Sequence, residues 1–311
     1  MERIPVILDT DPGVDDFFAW MLLNSCGDYD LRAVCTVPGN NTLETVTQNA
    51  RGIYKLFRMK GTRLAAGAET HMIKPVDVPK GAHGPTGLGT VRLDPSGVEL
   101  DPKKAWDVIY EEAVKAGGKL EIIAVGPLTN LGIAFFKYPE LRSMIHRIVV
   151  MGGSTTSGNM SPFGEANIAH DPHAARIVFD SGVPIVMVGL NALPPCAMTA
   201  GQCEELMPEG LNSEIRKVVL QLMEFRNGFP LCDAVTVASV MDESFAEWAE
   251  CTVDVETRSP LTAGMTVCDL KNSKKFFGGS GSKAKCRVAI TTDGKKFFEM
   301  FRKMFLSYCW D

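Results

Sequence analysis

The 311-residue sequence has no long apolar run, no excess of positive charge and no paired cysteine motif, and each absence removes a class of protein. A bilayer-crossing helix needs roughly 18 consecutive apolar residues. The best candidate, Leu120 to Phe136, is broken by Glu121, Gly126, Pro127, Thr129 and Asn130, so it reads as strand, loop and helix, and no membrane partner is expected. With 37 acidic against 32 basic side chains the formal net charge is −5, and no global positive field draws in a nucleic acid. The nine cysteines are an odd number without a CxxC pair. That pattern suggests neither a disulfide framework nor a zinc knuckle, and it suits buried thiols in a reducing compartment. The start, MERIPVILD, enters a strand with no basic segment, apolar stretch or cleavage site before it, so a cytoplasmic protein is expected.

An apolar fraction of 45% with 22% charged residues is the composition of a globular domain with a sizeable core. Ile4 to Leu8 is a short apolar run, followed by a Pro-Gly turn and an apolar helix from Phe17 to Leu23. The same unit recurs. Leu31 to Val37 leads through Pro38-Gly39-Asn40-Asn41 to a helix marked by Val46, Ala50, Ile53 and Phe57, and Leu120 to Val125 leads through Gly126-Pro127 to Leu128–Phe136. Ile148 to Met151 precedes a Gly-rich loop, and Pro184 to Val188 reads as a further strand. Apolar strands without alternation, each followed by a helix, predict an α/β fold: an open, mostly parallel Rossmann-like sheet with helices on both faces. The loops after Leu8, Val37, Val125 and Met151 then converge on one crevice. Towards the C-terminus, Cys251 to Glu256, Met265 to Leu270 and Cys286 to Thr291 read as a small strand-containing extension, with a Gly/Lys-rich link (Phe277 to Lys285) before a last helix, Lys295 to Phe305. The link lacks the spacing of a phosphate loop. With no repeat and no interdomain linker, residues 1–311 are read as a single domain.

The strongest chemical signal is Asp9-Thr10-Asp11-Pro12-Gly13-Val14-Asp15-Asp16, four carboxylates in eight residues on a strand-to-helix turn. Helix capping accounts for one or two of them. A hard divalent cation, Ca²⁺ or Mg²⁺, is the usual way to neutralise such a cluster, although the offsets are not those of an EF-hand. Asn159, Glu165 and Asn167 share the loop SGNMSPFGEAN and offer the donors and acceptors that a hydroxyl-rich ligand requires. His170 and His173 bracket Asp171-Pro172, which reads as a helix start and not as a metal pair. Met and Phe at helical spacing from Val218 to Phe229 read as core, with stacking of Phe225 or Phe229, close to Cys232, on a base as the alternative.

In this order, DTDPGVDD, PGNNTLETVTQNA, HGPTGLG, VGPLTNL, VVMGG, GNMSPFGEANIAHDPHAA and CDAVTVA closely resemble the ribonucleoside hydrolases of the inosine-uridine-preferring type, over residues 1 to about 241. The resemblance implies Ca²⁺-dependent hydrolysis of the N-glycosidic bond of ribonucleosides on a Rossmann-like sheet, in a homodimer or homotetramer. It makes Asp11, Asp16, the carbonyl of Val125 and Asp233 the calcium ligands, with Asp11 also holding the attacking water. It assigns Asp15, Asn40, Asn159, Glu165 and Asn167 to the ribose and places His83 near the sugar and the loop Gly84 to Gly89. Asp9 then only positions the first turn. Many relatives carry a His before the late Asp, where it can protonate the leaving base; this chain has Cys232 there, and a thiol titrating near 8.5 is a weaker acid for the task. Two rival readings remain: a Mg²⁺-dependent phosphatase of the haloacid-dehalogenase type, which shares only Asp9 and Asp11, and a nucleoside- or pentose-binding protein with no catalytic activity.

Overall fold

The computed structural model describes residues 2–78, 81–271 and 286–310; the expected link Phe277 to Lys285 lies outside them. Six strands, β1 (Ile4–Thr10), β2 (Tyr29–Thr36), β3 (Arg63–Ala66), β4 (Leu120–Ala124), β5 (Ile145–Met151) and β6 (Ile185–Val188), pair in parallel in the order β3-β2-β1-β4-β5-β6. The chain runs outwards from β1 to β3, returns to β4 beside β1, and runs outwards on the other side. The switch between β1 and β4 is where an open sheet of this kind leaves a crevice.

Side chains on one strand alternate between two cores. Val6, Leu8, Ile123, Val125, Val149 and Met151 enter one cluster, whereas Ile7, Ile122, Ala124, Ile148 and Val150 enter the other. Both faces of the sheet are therefore dry, which is why the strands read as unbroken apolar runs. On the first face lie α1 (Val14–Ser25), α2 (Leu43–Leu56), α7 (Ala200–Leu206), α8 (Ser213–Arg226), α9 (Cys232–Met241) and α10 (Gly294–Leu306); on the second lie α3 (Ala105–Ala116), α4 (Thr129–Lys137) and α6 (Pro172–Phe179), with the single turn α5 (Ala166–His170) between.

Strands near the C-terminus divide in two. β10 (Cys286–Thr292) extends the main sheet parallel to β6, and β7 (Ala246–Cys251) closes it antiparallel to β10, while β8 (Val253–Val255) and β9 (Thr266–Cys268) form a separate antiparallel pair. The extension expected from the sequence is thus in part the edge of the main sheet. Among the described residues no helix is long and apolar enough to cross a membrane.

Two helices are buried almost all round. In α1, Val14 to Leu23 are all buried, and in α9 Asp233 to Val240 are all buried; such helices belong inside a core, and these two pack on each other. The last helix fixes α1 from outside. Phe301 of α10, fully buried, stacks on Phe18 with ring centroids 5.9 Å apart and meets Phe297 at 4.6 Å. Truncating a buried phenyl ring leaves a cavity costing about 3–5 kcal/mol. Phe301→Ala is therefore expected to lower unfolding stability by that amount in a chemical denaturation series, and a loss below about 1 kcal/mol would mean that α10 does not clamp α1.

Candidate active site

The loops after β1, β2, β4 and β5 do meet. A single cleft is lined by Asp15, Asn40, His83, Val125, Asn159, Glu165, Asn167, Cys232 and Asp233, nine of the eleven residues singled out in the sequence. Asp11 and Asp16, 1% and 0% exposed, are buried and absent from its lining.

The floor is made by the N-terminal turns of the two buried helices. Asp15 and Asp16 open α1 and Asp233 opens α9, and the α1–α9 packing brings one carboxylate oxygen of each within 4.8 Å of the others. Thr10 Oγ1, the Gly13 amide (2.9 Å) and Asn40 Nδ2 (3.0 Å) all donate to Asp16 and fix its orientation. Asp11 is held by the Asn40 amide at 2.7 Å through one oxygen, leaving its buried Oδ1 without a partner, and Asp15 Oδ1 is likewise unpartnered. The tight cluster therefore comprises Asp15, Asp16 and Asp233, where the family resemblance names Asp11 in place of Asp15; Asp11 stands beside it. Glycine is required twice for this closeness. A Cβ at Gly39 would lie 2.2 Å from Asp11 Oδ2, and one at Gly13 would lie 2.3 Å from His83 Nδ1.

Gathering acids in a dry place is unfavourable. Burial, and then the charge of Asp16, pushes Asp11 well above the usual carboxylate range; burial and the charges of Asp15 and Asp16 do the same to Asp233, and burial followed by Asp15 raises Asp16. In Asp15 burial acts upward too, but it is outweighed, chiefly by the Arg226 guanidinium 3.5 Å away, and this carboxyl lies below its ordinary value. Buried, mutually repelling carboxylates with unpartnered oxygens are a donor set suited to a hard divalent cation, so the residues present fit a metal ion.

The walls are polar and held in place. Asn167 Nδ2 donates to the carbonyls of Val125 (2.8 Å) and Met151 (3.1 Å), tying α5 to the ends of β4 and β5. Glu165 caps α5: its two oxygens accept from the amides of Gly153 (2.9 Å), Asn167 (3.0 Å) and Ile168 (3.2 Å), while burial raises its pKa to about 7. Asn159 Oδ1 accepts from the Ala166 amide at 2.9 Å. The Val14 amide donates to His83 Nδ1 at 3.2 Å, so that nitrogen is unprotonated and the ring is neutral with its proton on Nε2; burial also lowers the pKa of His83. Its 3.6 Å approach to Asp15 is for that reason not an ion pair. The Cys232 thiol is pushed far up by burial and then by the charge of Asp15.

Asp9 stands apart from the cluster and bonds Asn130, not the first turn. Its Oδ1 accepts from Asn130 Nδ2 at 2.7 Å, and Asn130 also bonds the Thr36 carbonyl and the Ala68 amide, so this pair ties the ends of β1, β2 and β3 together. Asp171 caps α6 through the Ala174 amide, the helix start expected at that position. Sequence reasoning passed over Arg226, which lies at the end of α8 between Phe225 and the turn before Cys232, and Asn130, although both sit inside or beside the motifs quoted. Phe225 and Phe229, 39% and 62% exposed, do not line the cleft; the Arg226 guanidinium lies 5.9 Å from the centre of the Phe229 ring.

Comparison with known proteins agrees with this geometry. Residues 6–299 match the family model described as inosine-uridine preferring nucleoside hydrolase. A pyrimidine-specific ribonucleoside hydrolase RihA of Photobacterium profundum is 33% identical over 85% of this chain and 88% of its own length, and a RihA of Salmonella gallinarum is 29% identical over 98% and 99%. Among solved structures, a plant nucleoside hydrolase, PpNRh1, superposes with a TM-score of 0.90 at 26% identity, covering 98% of this chain and 99% of the other. A purine-preferring ribonucleoside hydrolase from Gardnerella vaginalis gives 0.89 at 27%, with the same coverage.

One consequence of the crowded floor is measurable without substrate. Asp233→Asn removes a repelling charge, so after chelation this variant is expected to melt no lower than the parent. A hundredfold excess of Ca²⁺ over its dissociation constant is expected to raise the parent's Tm by roughly 4 °C and to leave Asp233→Asn unmoved. An equal rise in both would exclude Asp233 from the metal's ligands.

Proposed function

From the premise that the chain belongs to the inosine-uridine preferring nucleoside hydrolase family, we propose that it hydrolyses the N-glycosidic bond of ribonucleosides at the cleft above Asp15, Asp16 and Asp233, with Ca²⁺ as its metal. The carboxylate convergence at the floor of a carboxamide-walled cleft carries this reading. A phosphatase of the haloacid-dehalogenase type has no use for the asparagines, and the family match leaves it without support.

Asp11, Asp16, Asp233 and the Val125 carbonyl would hold the ion, with Asp15 at its edge. Bound there, a hard cation supplies a fixed positive charge that orients sugar hydroxyls and lowers the pKa of a water. The chain's own groups do the rest. Asp11 Oδ1, buried and unpartnered, takes the proton from the attacking water as a general base. Asn40, Asn159 and Asn167 bind the ribose hydroxyls, each held rigid by bonds to backbone groups, so little orientation entropy is lost when the sugar docks. Cleavage passes through an oxocarbenium-like sugar, and the carboxylates of Asp15 and Glu165 stabilise its developing charge.

Departure of the base falls to groups other than Cys232. The half-buried Cys232 thiol, pushed up by desolvation and then by the charge of Asp15, is a weak acid for protonating the base at neutral pH. His83, which lines the cleft, offers the departing base a hydrogen bond from Nε2–H without transferring that proton, its ring being neutral.

A panel of ribonucleosides scored for reducing sugar, with and without chelator, tests the activity and its metal. Turnover is expected for at least one, lost on chelation and restored by Ca²⁺; binding without release of sugar from any of them would favour the non-catalytic reading. Asp11→Ala is expected to cost on the order of 10³-fold or more in kcat; near-parental turnover in the folded variant would reject Asp11 as the base. Cys232→Ala should alter hydrolysis of natural nucleosides and of p-nitrophenyl riboside, whose leaving group needs no proton, to the same modest extent. A loss of about 10²-fold confined to natural nucleosides would restore the thiol as the acid.

A further inference from the structure

Three cysteines separated in sequence meet at the C-terminal edge of the sheet. Cys251 ends β7 and lies directly across the antiparallel ladder from Cys286, the first residue of β10. Cys268 ends β9, across from Val253 of β8; the Asp269 amide donates to the Thr252 carbonyl at 2.9 Å, so the chain neighbours of Cys268 and Cys251 are bonded to each other, and Cys268 packs on the apolar cluster that holds Cys251. None of the three is in a disulfide; Cys251 and Cys286 are buried with Val253, Val255 and Val288, whereas Cys268 is partly exposed.

The strand that carries Cys268 also grips the loop bearing the sugar-binding residues. Two residues before it, Thr266 Oγ1 accepts from the Ser154 amide at 2.9 Å and donates to the Ser154 carbonyl at 2.8 Å. Met265 forms a β-bridge with Gly164, the neighbour of Glu165. A change in the position of β9 is thereby passed to both ends of the loop that holds Asn159.

We propose that Cys251 and Cys268 form a reversible thiol–disulfide pair, oxidised by peroxide, whose state adjusts the substrate loop through β9. One thiolate of the pair attacks a peroxide oxygen to give a sulfenic acid, and the departing hydroxide takes up the thiol proton as water. The second sulfur then displaces water from that sulfenic acid, taking its own proton away with the leaving hydroxide. Two thiols and one hydrogen peroxide thus become one disulfide and two waters. Partial exposure of Cys268 gives the oxidant access, and its place beside Cys251 supplies the partner thiol.

The test is to treat the full chain with hydrogen peroxide, block remaining thiols with an alkylating reagent and digest without reduction for mass spectrometry. A peptide pair joining Cys251 to Cys268 is expected, separable by a reducing agent and missing from Cys268→Ser and Cys268→Ala. Alkylation of both thiols, or a link from Cys251 to Cys286, would overturn the assignment. A second arm rests on the hydrolase reading: KM for a nucleoside substrate is expected to change about fivefold or more on cross-linking and to return on reduction. Cys268→Ser treated in parallel should show no such change, which separates this effect from oxidation of Cys232. An unchanged KM in fully cross-linked protein would reject the coupling to the loop, and because the mapping needs no turnover, its result stands apart from the fate of the hydrolase reading.

Discussion

The constraint on which this molecule is organised is the confinement of like charges. Asp11, Asp15, Asp16 and Asp233 occupy a buried floor because two helices too apolar to sit anywhere but the core, α1 and α9, pack side by side and point their first turns at one place. Helix N-termini favour anionic side chains, which offsets part of the repulsion. Arg226 offsets another part by pairing with Asp15. What remains is a set of oxygens held open for a cation, and the free energy spent in gathering them is supplied by the apolar packing behind, including the phenyl stack of α10 on α1.

The rest of the site is placed by the sheet. Loops that leave β1, β2, β4 and β5 at the switch point bring the carboxylates, Asn40, the Val125 carbonyl and the Asn159–Asn167 segment together from widely separated stretches of chain. Hydrogen bonds to backbone groups then fix the polar side chains: Asn167 joins two strand ends, Glu165 caps a helix, and Asn40 spans Asp11 and Asp16. Glu165 therefore acts as a structural cap as well as a wall of the cleft.

Much of this could be read from residues alone, for identifiable reasons. The parallel sheet was legible because both of its faces are dry, so its strands appear as unbroken apolar runs, and the aspartate octet was legible because capping cannot use four carboxylates. β3 escaped notice because it is four residues long and has only two fully buried positions, and β7 because its polar edge-strand sequence, AEWAEC, carries little apolar signal. That β10 would join the main sheet followed from long-range pairing, which local pattern does not encode. The presence of Asp15 in the tight cluster likewise depends on how α1 meets α9. Arg226 gave no local signal: its role arises from a contact with Asp15, 211 positions away in the sequence.

Counting the metal ion is the most direct test of the account. Chelator-stripped protein equilibrated with radioactive calcium by dialysis should bind a single ion per chain tightly, and Asp16→Asn should bind none at the same free concentration. Full ribonucleoside turnover by protein shown by elemental analysis to carry no divalent metal would contradict the claim that the buried carboxylates exist to hold one.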